Sequence, residues 1–278
     1  MNKNFILKNR TLFLPVVIIT VLLFLAIFAD FIAPYGVSES DYSMTLSSPS
    51  LKHLFGTDEL GRDVLSRIIF SLRISFLMGI IPTALLIILG TLLGIYSGIS
   101  GKWIDSIIMR LCDIGLAFPF MIMAMAIVYN FGSGIMPMIL TMTILGWSSI
   151  ARIIRSQTKS IIKEQYIEAA ISMGASKANI ILKHIIPNLK GTIIVLFTIN
   201  IPKGILAEAS LSFLGFGAQP PMTSLGIMVS KGRNFLFDAP WISITPGFVI
   251  LIMALCFNSF GDGLKKHFED FKRGNYDE

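Results

Sequence analysis

Few residues in this sequence are spaced to do covalent chemistry. His53, His184 and His267 fall in three separate connections, without metal-ligand spacing. No Ser-His-Asp or Cys-His arrangement can be argued from spacing either. The nearest approach to a phosphate cradle is Gly101-Lys102, but Trp103 follows where Ser or Thr is needed, and Tyr96 holds the first glycine position. The chain is therefore expected to be no enzyme, to hold no metal or cofactor, and to leave ATP to other proteins. Two ionisable side chains stand out for their setting: Lys203, between Pro202 and Gly204 in an apolar run, and Glu208 five residues later. An ion at that depth in a bilayer costs at least about 2.5 kcal/mol unless it is paired or faces water. Lys203 is expected either to face the pore or a subunit interface, paired with an acid such as Glu208, or to form an interhelical salt bridge without substrate contact. Pro202 also invites a local break in the helix. Asp113, Asn258 and Asp262 read as helix-end packing groups.

The second informative stretch runs from Gln165 to Asn188. Ile150, Ile153, Ile154, Ile161, Ile162 and Tyr166 keep a helical apolar spacing through its approach. Gly174 is suited to end that helix in a left-handed conformation, and Ser176 to cap the next. Ile180, Ile181, His184 and Ile185 continue at helical spacing until Pro187, which is expected to stop it. The corner is lined by small residues, Ala169, Ala170, Gly174, Ala175 and Ala178, which would let a backbone knuckle enter a groove on another protein. The same pattern also fits a plain helical hairpin between spans.

The elements that must carry these residues are membrane spans. Of 278 residues 54% are hydrophobic and 14% charged, against about 25% charged in a soluble domain. The mean hydropathy is +0.74. So little charge cannot clothe a water-facing surface, and lipid is the expected solvent. The net charge of +6 comes from Lys and Arg gathered between apolar blocks, which orients a membrane protein and does not point to nucleic acid. Cys112 and Cys256 lie far apart in apolar stretches, so no disulfide framework is expected. Six stretches approach the roughly 20 apolar residues needed to span: Leu12–Ala33 (uncleaved), Ile74–Tyr96, Ile107–Phe131, Ile135–Ile150, Thr192–Phe216 and Trp241–Phe260. Gly132-Ser133-Gly134 forms the turn between the third and fourth. Gly90, Gly94 and Gly98 put three hydrogens on one helix face for close packing, within the chain or against a second subunit.

Counting Lys and Arg orients the chain. Ala151–Lys190 holds Arg152, Arg155, Lys159, Lys163, Lys177, Lys183 and Lys190 against Glu164 and Glu168. Placing it inside puts both termini inside, with Lys3, Lys8 and Arg10 at one end and Lys265, Lys266, Lys272 and Arg273 at the other. Gly217–Pro240, with Lys231 and Arg233, then faces out. One segment conflicts: Pro34–Arg73 should be outside yet carries Lys52, Arg62, Arg67 and Arg73. Asp58 precedes Arg62 and Asp63 precedes Arg67 by four residues, pairs that support a helix and mask charge. With Val64, Leu65, Ile68, Ile69, Leu72 and Phe76 on one side, an amphipathic helix lying in the outer interface is expected.

Glu168-Ala169-Ala170, then Gly174, then Ile185-Ile186-Pro187 resembles the EAA loop of permease subunits of ATP-binding-cassette importers. His53–Arg67, Ala207–Pro221, Gly232-Arg233-Asn234 with Ala239-Pro240-Trp241, and Phe257–Asp262 resemble C-type permeases for dipeptides, oligopeptides and nickel, in family order. The resemblance implies an all-α polytopic membrane protein of the type I importer fold, in the bacterial plasma membrane. Its parts would be an N-terminal span and extracytoplasmic segment (1–73), a five-helix core (74–262) with the EAA loop at 151–190, and a cytoplasmic tail (263–278). It also implies partners: a B-type permease, two ATPase subunits that bind the ATP, an extracytoplasmic binding protein and membrane lipid. Glu168, Ala169, Ala170, Gly174 and Ala175 would dock the ATPase through a coupling helix. Peptides are the expected cargo and nickel or a nickel chelate the alternative. A secondary transporter driven by an ion gradient would call for inverted repeats or coupling carboxylates, at which only Pro202–Gly204 hints. A membrane scaffold subunit is a third reading.

Overall fold

The computed structural model describes residues 10–219 and 221–274, with the side chains of 12–219 and 221–268. Lys3, Lys8, Pro220 and the end of the tail fall outside the described residues, as do the side chains of Arg10, Lys272 and Arg273. The described residues form helices joined by turns, with no strand and a single isolated β-bridge between Thr57 and Asp63. In chain order they are α1 (Arg10–Ile27), α2 (Ala29–Ile32), α3 (Val64–Ile99), α4 (Lys102–Ala117), α5 (Phe120–Phe131), α6 (Ile135–Ile161), α7 (Gln165–Ser172), α8 (Lys177–Ile180), α9 (Ile186–Phe213), α10 (Leu225–Gly232) and α11 (Trp241–Gly274).

Among the described residues four helices are long and apolar enough to cross a membrane: Val64–Ile99, Ile135–Ile161, Lys177–Phe213 and Trp241–Phe268. A fifth crossing exists only if α4 and α5, bent by 90° at a short break, count as one, and Leu12–Ile27 is a shorter apolar helix. The six apolar stretches read from sequence are these four helices, the bent pair and the shorter N-terminal helix. The third expected span breaks because Phe118 precedes Pro119, whose ring disfavours helical backbone on the residue before it. Phe118 is accordingly extended, at φ −100° and ψ 142°.

Two boundaries also move. α3 is one rod of 36 residues, about 54 Å long at 1.5 Å per residue. The separate amphipathic helix expected before it does not exist. Val64, Ile68, Ile69, Leu72 and Phe76 are buried in protein as the first turns of α3, with Asp63 as N-cap accepting from the Ser66 amide at 2.8 Å. α6 runs past Ile150 to Ile161, because Ile150, Ala151, Ile154 and Thr158 keep one buried stripe while Arg152 and Ile153 turn outward.

Pro187 does not stop its helix. Ile181–Ile185 winds as a π-turn, and α9 begins with Pro187 in its first turn, where a missing N–H costs nothing. Nor does Pro202 break α9, which continues to Phe213.

The helices pack in two seams. α1, α3, α9, α10 and α11 close over Leu72, Phe76, Ile205, Met228 and Met253. α3, α6 and the corner helices close over Ile87, Ile95, Ile150, Ile154, Ile167 and Leu189. The α3–α6 seam is where the glycines lie. A Cβ added to Gly90 would stand 2.6 Å from Ile150, at Gly94 2.7 Å from the Ala151 carbonyl, and at Gly98 2.7 Å from Thr158. Cys112 and Cys256 are free and buried.

Candidate functional site

The corner at Gly174 is built from backbone geometry. Gly174 has φ +85°, its N–H donates to the Ile171 carbonyl at 2.9 Å, and the Ala175 N–H donates to the Ala170 carbonyl at 3.0 Å. These are the two bonds of a Schellman motif, which requires a left-handed residue after the helix. Ser176 then caps α8 by accepting from the Asn179 amide at 3.3 Å. Nothing approaches an added Cβ at Gly174 within 4 Å. The glycine is thus needed for its backbone angle and not for close packing.

One face of the corner is fixed to the bundle. Ile167, Ile180 and Ile185 are buried in the second seam, Ala170 is buried as well, and Asn188 donates to the Tyr166 hydroxyl at 3.1 Å. The other face is open: Glu168, Ala169, Ile171, Met173 and Gly174 are exposed, Met173 to 82%. Of the five residues the resemblance assigned to docking, Glu168, Ala169 and Gly174 lie on that face, Ala175 is half-buried, and Ala170 points inward. Reasoning from small residues overlooked Met173 and Ile171. Their signal was present as apolar residues lying off the inward stripe of Ile167 and Ala170.

Next to the corner, α6 is clamped to α4. Asp105 accepts from the Arg155 guanidinium through both oxygens, from Lys159 at 2.5 Å and from Ser97 of α3 at 2.5 Å. One face further along, Asp113 pairs with Arg152. Asp113, read from sequence as a packing group, is a helix-to-helix ion partner.

α4 leads from these clamps to a cavity of ≈ 310 Å³ beside the Phe118-Pro119 break. Its wall includes Leu116, Phe118, Met123 and Met142, and Asn200 and Lys203 reach it from α9. Lys203 and Glu208 do not form the pair considered from sequence. Five residues at 100° each set them about 140° apart around the helix. Glu208 is buried on the opposite side, where its Oε1 accepts from Ser212 at 2.5 Å.

At the other end of the bundle, the four basic residues that conflicted with the charge count are each matched by acid. Arg62 meets Asp58 at 2.7 Å and Glu59 at 3.1 Å, Arg67 meets Asp58 at 3.4 Å, Arg73 meets Asp30 at 2.7 Å, and Lys52 lies 3.9 Å from Asp41. Asp58–Arg62 is the pair expected, although it closes a turn, not a helix. The second expected pair is absent: Asp63 caps α3 and accepts from buried His53 at 3.0 Å, so Arg67 turns to Asp58. Arg67 also donates to Thr223 at 3.1 Å and Trp241 to the Thr57 carbonyl at 3.1 Å, tying this loop to the segment before α10 and to the start of α11. Asp41, at the foot of this loop, has its carboxyl pKa held down chiefly by the Ser43 hydroxyl donating to it.

Residues 90–274 match the family model of the binding-protein-dependent transport system inner membrane component, and residues 6–49 match that of the N-terminal TM domain of oligopeptide transport permease C. A dipeptide transport system permease protein of Alkalihalophilus pseudofirmus is 39% identical over 93% of this chain and 85% of its own length. A glutathione transport system permease protein of Escherichia coli O157:H7 is 40% identical over 89% of this chain and 82% of its own. An oligopeptide transport system permease protein of Haemophilus influenzae is 36% identical over 93% and 84%.

Proposed function

The chain belongs to the family of binding-protein-dependent transport system inner membrane components, as a multi-pass permease of an ATP-binding-cassette importer in the bacterial plasma membrane, and on that premise we propose that it forms half of a pathway for small peptides. The partners are a second permease of the same kind, two ATPase subunits and an extracytoplasmic binding protein. The names of the relatives favour peptides, among which glutathione is itself one, over nickel.

The observation that carries the coupling role is the corner, fixed to the bundle on one face and open on the other. Docking an ATPase needs both properties, since a mobile tip would absorb the motion it should transmit. Glu168, Ala169, Ile171, Met173 and Gly174 form the contact, and this end of the bundle faces the cytoplasm. The charge balance supports that orientation. Lys and Arg outnumber Asp and Glu in residues 151–190, the segment that carries the corner.

The test is co-purification of ATPase subunits with the wild-type chain and with Glu168→Arg and Gly174→Val variants. The wild type is expected to retain the ATPase, and each variant to lose about tenfold or more of it, the result of about 1.4 kcal/mol of lost contact. If no ATPase binds the wild type, or if both variants retain it fully, the docking assignment fails.

A further inference from the structure

We infer that the cavity beside the Phe118-Pro119 break is a way-station for the carboxylate end of the transported peptide, and that Lys203 is the group that receives it. The inference rests on the peptide reading above and adds a ligand chemistry to a place in the fold. Three observations carry it. Lys203 lies near the middle of α9 and lines the cavity. No carboxylate stands within ion-pair distance of it among the described residues, and the one acid considered from sequence, Glu208, is held on the far side of α9 by Ser212. An ammonium at this depth is retained only where it meets water or an anion.

The walls specify which anion. The cavity's ≈ 310 Å³ sits at the lower end of the roughly 300–1,000 Å³ of small-molecule sites. Its lining is mostly apolar, with Leu116, Phe118, Met123 and Met142 beside one cation, the Asn200 amide three residues before it, and the Thr83 and Ser149 hydroxyls. Methionine side chains re-pack around varied shapes, while an ammonium accepts any carboxylate. Peptides pose the matching problem: side chains that vary and a terminal carboxylate that does not. A cation for the constant part and a compliant wall for the variable part would admit many sequences without gripping any of them. A purely apolar solute would leave the ammonium unpaired, and a cationic one would be repelled by it.

The experiment uses the full importer, with both permeases, its ATPases and its binding protein, reconstituted in proteoliposomes. Wild-type, K203M and K203R complexes are given a small peptide with a diazirine on its C-terminal residue, irradiated during turnover, and the adducts on this chain are mapped by mass spectrometry. Uptake of the same peptide is measured in parallel. We expect wild-type adducts at Phe118 and Met123. K203M should reduce them about tenfold or more, as expected for a lost charge-assisted contact, with uptake falling in step, while K203R keeps most of both. Adducts confined to other residues, or equal labelling in wild type and K203M, would overturn the inference. So would loss of the partner permease from purified K203M, which would make Lys203 a subunit contact. A wild-type importer that takes up no peptide at all, yet binds its ATPase, refutes the peptide reading instead.

Discussion

Asp58 is a single carboxylate serving two guanidinium groups, with only 4% of its side chain exposed and Arg67 at 7%. It also closes its own turn by accepting from the Leu60 and Arg62 amides. Removing one member of a buried pair strands the other in a poor solvent, at a cost of about 3–5 kcal/mol. Asp58→Ala is therefore expected to lower the thermal unfolding temperature of the detergent-purified chain strongly. Asp30→Ala is the contrast. Its pair with Arg73 is 63% and 39% exposed, and such pairs contribute about 1 kcal/mol or less. Equal shifts in the two variants would show that burial does not set the strength of this cluster. Sequence spacing found the Asp58–Arg62 pair but not the role of Asp63, because a carboxylate one turn before an arginine and a helix N-cap look alike until the start of the helix is known.

Among the elements, the α3–α6 seam is built around Gly90, Gly94 and Gly98. Gly94→Ala sets a methyl 2.7 Å from the Ala151 carbonyl oxygen, so the two helices must part, at about 1–3 kcal/mol for an overpacked contact. Gly101→Ala is the control, since nothing lies within 4 Å of its added Cβ and its φ is −64°. Melting temperatures of the two variants should separate, and a Gly94→Ala protein as stable as the Gly101→Ala one would refute the packing role. The glycine spacing and the apolar runs made this seam legible in sequence. The end of α6 was not, because the apolar spacing of Ile150, Ile154, Ile161 and Tyr166 reads on as one helix toward Gly174, whereas α6 stops at Ile161 and α7 starts at Gln165. Pro187 misled in the opposite sense, since a prolyl residue ends a helix only if no wider turn precedes it, and Ile181–Ile185 supplies that turn.

For the whole molecule, the corner and the cavity are joined by a short mechanical route. α6 ends beside the corner, Asp105 and Asp113 bind it to α4, and α4 ends at Leu116 and the Phe118-Pro119 break in the cavity wall. Asp105→Asn removes the charge that holds Arg155 and Lys159 while leaving the exposed face of the corner untouched. Peptide moved per ATP hydrolysed in proteoliposomes is expected to fall about two- to thirtyfold, the range for mutations that weaken coupling between sites, with ATPase binding retained. An unchanged ratio would mean that the motion travels by another route, such as directly through the α3–α6 seam. The free thiols bear on how such motion can be watched. Cys112 is fully enclosed between α4 and α6 and Cys256 is 6% exposed, so neither is open to a maleimide dye in the folded chain. The protein is in effect spectroscopically silent at sulfur. A single cysteine introduced at exposed Met173 would carry a fluorophore or spin label on the corner itself without first stripping the native thiols from the bundle.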